Sequence, residues 1–373
     1  MSTLTQKAGL LKGLLTGERA FTGPIYVDVD LSNVCNLKCL GCPYHSSAVD
    51  DRPYAVGDQS FMSLEIFGDL CRDLKSMGTR QLILQGAGEP FLHPHLMDIV
   101  RQTKEAGFQV MILTNGTLLD RETIETLIEA RLDAVKVSLW AATPEEYQRN
   151  YPENDPDNFQ RVQEGLRLLS TLKKERGSPF PEARLHYIIN RNSFRSLEGV
   201  PDWAGSLGIQ WVTYTPLHPV RGASREQMLT PEEEHSVKLA LERAGKKLES
   251  LKIEHNRDEA VLRYELGNSI WEKLPCYIAW YHARIRTDGE VTSCGRCGFS
   301  FGNLTRQSFG EIWNSAAIRD ARRLLLTREG LASVQDHCNC NFCCFAKDNM
   351  KIHRLFKWIS PVLPRGRGVG AAT

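Results

Sequence analysis

The chain has 373 residues, 42% hydrophobic and 24% charged, with a formal net charge of +1. That length allows one large folded unit or two moderate ones, and the near-neutral balance removes any electrostatic reason to expect nucleic acid. The first twenty residues lack the apolar run and small-residue cleavage site of a signal peptide, and no apolar stretch reaches the roughly eighteen residues of a membrane span.

In chain order, residues 1–24 read as an N-terminal extension. "IYVDVDLSN" (25–33) is the first strand pattern, rich in β-branched and aromatic residues. "RQLILQG" (80–86), "QVMILTNG" (109–116), "AVKVSLW" (134–140), "RLHYIIN" (184–190) and "IQWVTYTPL" (209–217) follow, each closed by a polar, Gly or Pro signal. Helical patterns fall between them. Residues 63–77 place Leu64, Phe67, Leu70, Leu74 and Met77 on one face with Ser63 as a cap, and 94–106 and 121–131 are similar. "TPEE" (143–146) supplies a cap, a proline at the first helical position and Glu146 at the third. Residues 159–172 carry Phe159, Val162, Leu166 and Leu169.

Six strand–helix units predict parallel strands with right-handed crossovers. A full eight-stranded barrel needs about 250 residues, so the span 25–217 predicts an α/β fold with a partial (β/α)6 barrel. Ligands would sit at its C-terminal strand ends. Residues 218–275 read as a helical bridge, in which a capped amphipathic helix (230–250) is followed by no clear strand. Residues 276–350 read as a small cysteine-rich α+β domain. Its "RIRTDGEVTSC" (284–294) signals a hairpin turning tightly at Asp288-Gly289. Residues 351–373 read as a helix docking through Leu355, Phe356, Trp358 and Ile359, then a loose tail.

Ten of the 11 cysteines are clustered, three at 35–42, three at 276–297 and four at 338–344. A chain this long does not need a disulfide scaffold, so metal sites in a reducing cytoplasm are the better explanation. Cys35, Cys39 and Cys42 can converge on one loop. Two occupants fit: a zinc ion with an open position or with His45 as fourth ligand, and a [4Fe–4S] cluster with one iron free. Cys71 falls beside the apolar stripe of its helix and reads as a core thiol.

"CNLKCLGC" (35–42) after the first strand resembles the CxxxCxxC loop of the radical S-adenosylmethionine (SAM) superfamily, and "GAGEP" (86–90) after the second resembles that family's second motif. The resemblance implies that Cys35, Cys39 and Cys42 hold a [4Fe–4S] cluster whose free iron is chelated by SAM. It further implies that Gly86, Gly88, Glu89 and Pro90 line the methionine amino group. Asn115, Ser138 and Asn190, at later strand ends, would meet ribose or carboxylate. One departure concerns the adenine. Many members carry an aromatic residue just before the third cysteine, where this chain has Gly41; Tyr44 is offered as partial cover for the same surface.

Cys276 and Cys294, with Gly289 five residues before the latter, resemble the opening of the cysteine-rich SPASM extension. "HCNCNFCC" (337–344) matches only the first pair of its later run, so the likeness is to the shortened twitch form. The resemblance implies one auxiliary [4Fe–4S] cluster on Cys276, Cys294, Cys340 and Cys343, two clusters in all. Cys297, Cys338 and Cys344 are then core thiols or substitute ligands, and an unligated cysteine near the cavity is a candidate hydrogen donor.

The implied chemistry is reductive cleavage of SAM to a 5′-deoxyadenosyl radical, hydrogen-atom abstraction from an unactivated carbon, and oxidation of the substrate radical through the auxiliary cluster. Epimerisation with a thiol hydrogen donor is the alternative. A flavodoxin or ferredoxin-type electron donor is implied. Only 34 residues precede Cys35, which leaves no room for the peptide-recognition domain of many relatives. The expected substrate is therefore a small metabolite, such as a sugar, aminocyclitol or other natural-product intermediate, with a peptide or protein substrate as runner-up. Arg149, His186, Arg191 and His218 are substrate-binding candidates by position. Two other readings are a metal-stabilised interaction module, which leaves "GAGEP" unexplained, and an RNA-modifying enzyme, which the neutral charge opposes.

Overall fold

The computed structural model describes residues 4–49, 60–218, 225–267, 270–295, 298–334, 338, 340 and 342–356. The six expected strands are β1 (Tyr26–Ser32), β2 (Gln81–Gly86), β3 (Gln109–Thr114), β4 (Ala134–Leu139), β5 (Glu182–Ile189) and β6 (Trp211–Pro216), all parallel and in that order. Their alternation decides which face is dry. Val27, Val29, Leu82, Leu84, Val110, Ile112, Val135, Val137, Leu185 and Val212 are wholly buried under the flanking helices. Burying each contributes about 1.5–3 kcal/mol. The intervening residues, among them Tyr26, Asp28, Lys136, Ser138, Arg184, His186, Thr213 and Thr215, stay partly exposed on the opposite face. That face is the concave side of the partial barrel.

The helices follow their periodicity. The helix Leu64–Ser76 is capped by Ser63, which accepts from the Glu65 amide at 3.2 Å, and buries Phe67, Leu70, Cys71 and Leu74. Cys71 is thus a core thiol, as expected. The helix Pro144–Asn150 begins at the Thr143 cap, but Glu146 turns inward rather than closing a capping box. It accepts from the Ala142 amide, the Ser196 hydroxyl and the Tyr187 hydroxyl, tying the ends of β4 and β5 together.

Four expectations change. The bridge contains a strand, β7 (Glu254–His255), parallel to β6, formed because the helix Pro231–Ser250 returns the chain to the sheet edge. The cysteine-rich segment is not set apart. Its β8 (His282–Ile285) pairs in parallel with β1, and β9 (Glu290–Thr292) and β10 (Gly302–Asn303) extend one ten-stranded sheet beyond it. The hairpin turn is wider than a two-residue Asp-Gly turn. The Gly289 amide donates to Arg286 O at 2.9 Å, the Arg286 amide donates to Glu290 O at 2.8 Å, and Gly289 takes a left-handed φ of 84°. Finally, Leu355 of the helix Ala346–Phe356 is 70% exposed rather than docked, and the side chains of Phe356, Trp358 and Ile359 lie outside the described residues. That helix is fastened by Asn349, which accepts from the Tyr277 amide at 2.6 Å, and by His353, whose Nδ1 is 2.8 Å from the Tyr277 hydroxyl.

Candidate active site

The three-cysteine loop stands where β1 ends, braced by neighbouring strand-end loops. The Leu40 amide donates to Asn150 O at 2.9 Å, and the Lys38 amide donates to Asn154 Oδ1 at 3.0 Å. Asn36 donates to the Thr117 hydroxyl at 2.8 Å and accepts from Asn115 Nδ2 at 2.8 Å. "GAGEP" packs directly behind the loop: the Gly88 amide donates to Ser32 O at 2.9 Å and the Glu89 amide to Val34 O at 2.7 Å. A Cβ on Gly88 would lie 2.0 Å from Val34 O, so only glycine permits this approach. Pro90 begins the short helix Pro90–Leu92, capped by Glu89.

Cys35, Cys39 and Cys42 interact electrostatically with one another. Burial pushes the Cys35 thiol up to about 12 and raises Cys39 well above its ordinary value. Amide groups approach two of the sulfurs: Leu37 N–H lies 3.4 Å from Cys35 Sγ, and Tyr44 N–H lies 3.4 Å from Cys42 Sγ. Asn115 also reaches the Cys35 thiol through its side chain. Glu89 is 1% exposed, and burial raises its pKa to about 7. It accepts from the Asn115 amide at 2.7 Å, the Thr114 hydroxyl at 2.6 Å and the Phe91 amide at 3.1 Å.

Among the described residues, no three His, Cys, Asp or Glu side chains are grouped to hold a single metal ion. His45, weighed as a fourth ligand, instead places Nε2 2.9 Å from Ala87 O. Three gathered thiols with amide donors near two of their sulfurs, and no fourth ligand grouped with them among the described residues, fit a cluster with an open iron.

Ser138 lies on the concave face, and its side chain makes no hydrogen bond among the described residues. Asn190 differs from expectation. It is wholly buried, donating to Asn150 at 2.9 Å and accepting from the Asn192 amide at 2.9 Å, so it fastens the strand end rather than presenting its amide to a ligand. The Tyr44 side chain lies within electrostatic reach of Arg284, Asp30 and Arg286 and also of Cys42 in the cysteine loop. Of the substrate-binding candidates, Arg149 is spent on Asn192 O at 3.1 Å and Arg191 on Glu233 at 3.1 Å. His186 faces the chamber and bonds Thr215 at 2.9 Å, while His218 follows the end of β6.

The concave face is ordered by an ion pair and a neighbouring histidine–aspartate contact that the motifs did not announce. Arg284 binds Asp30 at 2.9 Å, and His282 lies 3.4 Å from Asp28. Lys136 has no salt bridge or hydrogen bond among the described residues, and burial lowers its pKa to about 8. Their signal was present as polar residues alternating with the Val and Leu of β1 and β4.

The second thiol set gathers near the N-terminal strand ends. Cys276 interacts electrostatically with Cys340 and Cys294, and both Cys276 and Cys343 act on Tyr281. The Ile278 amide bonds the Cys276 thiol, and the Phe345 amide lies 3.3 Å from Cys343 Sγ. These four cysteines fit a closed four-ligand cluster site. Cys338 is buried and disulfide-bonded, which takes it out of the ligand set and departs from an all-metal use of the cysteines. Cys297 lies outside the described residues. Cys344 is a free, exposed thiol within electrostatic reach of Tyr26 and Lys136.

Family models match residues 29–176 as radical SAM superfamily and residues 276–351 as SPASM, an iron–sulfur cluster-binding domain. The chain is 25% identical over 310 residues to a tungsten-containing aldehyde ferredoxin oxidoreductase cofactor-modifying protein of Pyrococcus furiosus, covering 78% of this chain and 81% of that one. It is 24% identical to an AdoMet-dependent heme synthase of Methanosarcina barkeri, covering 79% and 83%. To a probable GTP 3′,8-cyclase of Sulfurisphaera tokodaii it is 26% identical, covering 71% and 79%. Among solved structures, the fold resembles Streptococcus suis SuiB bound to S-adenosylmethionine, with TM-score 0.63 and 15% identity over 87% of this chain and 75% of that chain. It also resembles native anSMEcpe with bound AdoMet, with TM-score 0.61 and 17% identity over 91% and 99%.

Proposed function

The chain belongs to the radical SAM superfamily and carries a C-terminal SPASM iron–sulfur domain, and on that premise we propose that it is an oxidoreductase acting on a small metabolite held in the barrel chamber. The observation that carries this reading is a polar, partly exposed sheet face in a chain with two separate sets of cysteines, three following β1 and four in the segment around β8 and β9. When bound, the [4Fe–4S] clusters and SAM supply hydrogen-atom abstraction from an unactivated carbon, driven by one electron from a flavodoxin or ferredoxin-type donor.

The protein supplies position. Cys35, Cys39 and Cys42 leave a ligand place for the methionine end of SAM, and Gly86, Gly88, Glu89 and Pro90 shape the turn against it. Asn115 orients the loop through Cys35 and Asn36. Ser138, Lys136 and Thr213 offer polar groups to substrate. Cys276, Cys294, Cys340 and Cys343 form a full ligand set, which suits electron acceptance better than substrate binding at iron. The relatives' names concern a cofactor, heme and GTP, and these support a non-peptide substrate. The likeness to peptide-bound SuiB is one of fold. A reducing, cytoplasmic setting belongs to the same reading; no described helix is long and apolar enough to cross a membrane.

The test is anaerobic turnover of deuterated small-molecule candidates. Oxidation moves deuterium into 5′-deoxyadenosine and gives a product poorer by two electrons. A product of unchanged mass that gains solvent deuterium at one carbon supports the second reading, epimerisation. The position of Cys344 near Lys136 and Tyr26 favours it as the hydrogen donor in that case. Deuterium transfer only from a peptide overturns the small-metabolite assignment.

A further inference from the structure

The sequence leaves the adenine of SAM without its usual aromatic neighbour, because Gly41 stands before the third cysteine. The structure puts a ring there from elsewhere in the chain. A Cβ built on Gly41 would lie 2.9 Å from Cζ3 and 3.1 Å from Cη2 of Trp140, the residue following β4. Gly41 is buried and does not occupy the left-handed region, so its backbone conformation does not demand glycine. What demands it is the indole. Residue 41 and residue 140 therefore share one space, which holds one large side chain and not two.

Trp140 is held firmly. Its amide donates to the Tyr151 hydroxyl at 3.1 Å and its carbonyl accepts from Asn150 Nδ2 at 2.6 Å. Asn150 also receives Asn190 Nδ2 at 2.9 Å, and its own carbonyl holds the cluster loop at Leu40. The ring itself is only partly buried, whereas the other core aromatics nearby, Tyr147 and Tyr151, are 1% and 2% exposed. A second observation points to a ligand at this place. Gln227 is 3% exposed, its Oε1 lies 3.5 Å from the Gly41 Cβ position, and its Nε2 is buried with no partner among the described residues. Such a donor costs stability unless something accepts from it, and an adenine edge carries acceptor nitrogens that suit a glutamine amide.

We propose that Trp140 is the platform on which the adenine of SAM stacks, with Gln227 at the edge of the base. The aromatic surface has moved from the cysteine loop to the end of β4, and Gly41 is the vacancy that lets it in. This rests on the radical SAM reading and adds to it a residue that no cysteine motif marks.

The test uses the anaerobically reconstituted full chain and measures equilibrium binding of SAM and, separately, of methionine, which has no adenine. Trp140→Ala should weaken SAM about ten- to hundredfold, as loss of one aromatic–base stack does, with methionine binding and iron content unchanged. Trp140→Phe keeps a ring and should stay within about threefold of wild type. Gly41→Tyr alone should weaken SAM because two rings compete for one space, and Gly41→Tyr with Trp140→Gly should recover it. SAM affinity unchanged in Trp140→Ala overturns the proposal. So does equal loss with methionine, or Trp140→Phe as impaired as Trp140→Ala, since either marks a merely structural role. Wild-type protein that holds four irons on its first loop yet binds no SAM removes the radical SAM reading itself, a result distinct from wild-type binding that the variants leave intact.

Discussion

The two thiol sets use the same side chain but are assembled differently. Cys35, Cys39 and Cys42 lie within eight residues, so the loop brings its thiols together by sequence proximity alone. Cys276, Cys294, Cys340 and Cys343 are spread over a much longer stretch, and Cys276 comes within reach of Cys294 and Cys340 only after the chain has folded. The surroundings reflect this. The first loop is braced from outside by hydrogen bonds to neighbouring strand-end loops. The second set is bound into the body of the molecule: the Cys276 amide donates to Leu325 O at 3.0 Å, Trp271 donates to Cys340 O at 3.3 Å, and Arg263 donates to Phe342 O at 3.0 Å. One site is a local loop docked on a finished barrel, and the other is part of what finishes it.

The sharpest way to separate them is to remove each in turn. Changing Cys35, Cys39 and Cys42 to alanine should lower iron from about eight to about four per chain and abolish SAM cleavage, while the melting transition changes little. Changing Cys276, Cys294, Cys340 and Cys343 to alanine should remove a similar amount of iron but also lower the melting temperature, because the cluster joins distant segments. Wild type near twelve irons would mean that Cys297 or Cys344 also serves as a ligand. Equal melting temperatures in the two variants would break the comparison.

A smaller effect tests the first loop without touching a ligand. Gly88→Ala forces a methyl group against Val34 O, so it should cost about half of the total iron, lost from the first site alone. Mössbauer spectra of the two loaded populations would show which cluster remains.

The second region has its own staple. Arg322 is wholly buried and donates to Ala279 O at 3.0 Å, Glu18 O at 3.1 Å, Asn314 Oδ1 at 3.1 Å and Trp313 O at 2.9 Å. It joins the N-terminal extension to the cysteine-rich segment. Arg322→Met takes the buried guanidinium away from the Ala279, Glu18 and Trp313 carbonyls and should destabilise by about 3 kcal/mol. Thermal melting checks this, with iron at the first site retained.

The smallest effect concerns the concave face of the sheet. Lys136 has its pKa lowered to about 8 by burial. The unfolded chain then binds more protons than the folded one between about pH 8 and pH 10.4, so stability should rise with pH across that window. Lys136→Met should flatten this slope and raise the melting temperature at pH 7 by about 1–3 °C.

Much of this was legible from residue order, for identifiable reasons. The strands were readable because runs such as "QVMILTNG" end sharply at polar or glycine signals, and the helices because Phe67, Leu70 and Leu74 keep one face. The first site was readable because its ligands are neighbours and because Gly88 has to be glycine. The strand Glu254–His255 was missed because two residues carry no periodicity, and the pairing of β8 with β1 because strand order across a sheet leaves no local trace. Leu355 looked like a docking residue but faces solvent; a short apolar pattern does not say whether a partner surface is present.

By itself the sequence determined the local devices: alternating strands, capped helices, three adjacent cysteines and the glycine turn behind them. These depend on spacings of a few residues, which the covalent chain sets directly. Only the tertiary structure decided that Asn190 is a fastener, that Arg284 and His282 face the aspartates of β1, that Cys276 comes within electrostatic reach of Cys294 and Cys340, and that Trp140 fills the space Gly41 leaves. Each of these joins residues brought together by strand order and barrel curvature, and that geometry belongs to the packed sheet rather than to any one segment.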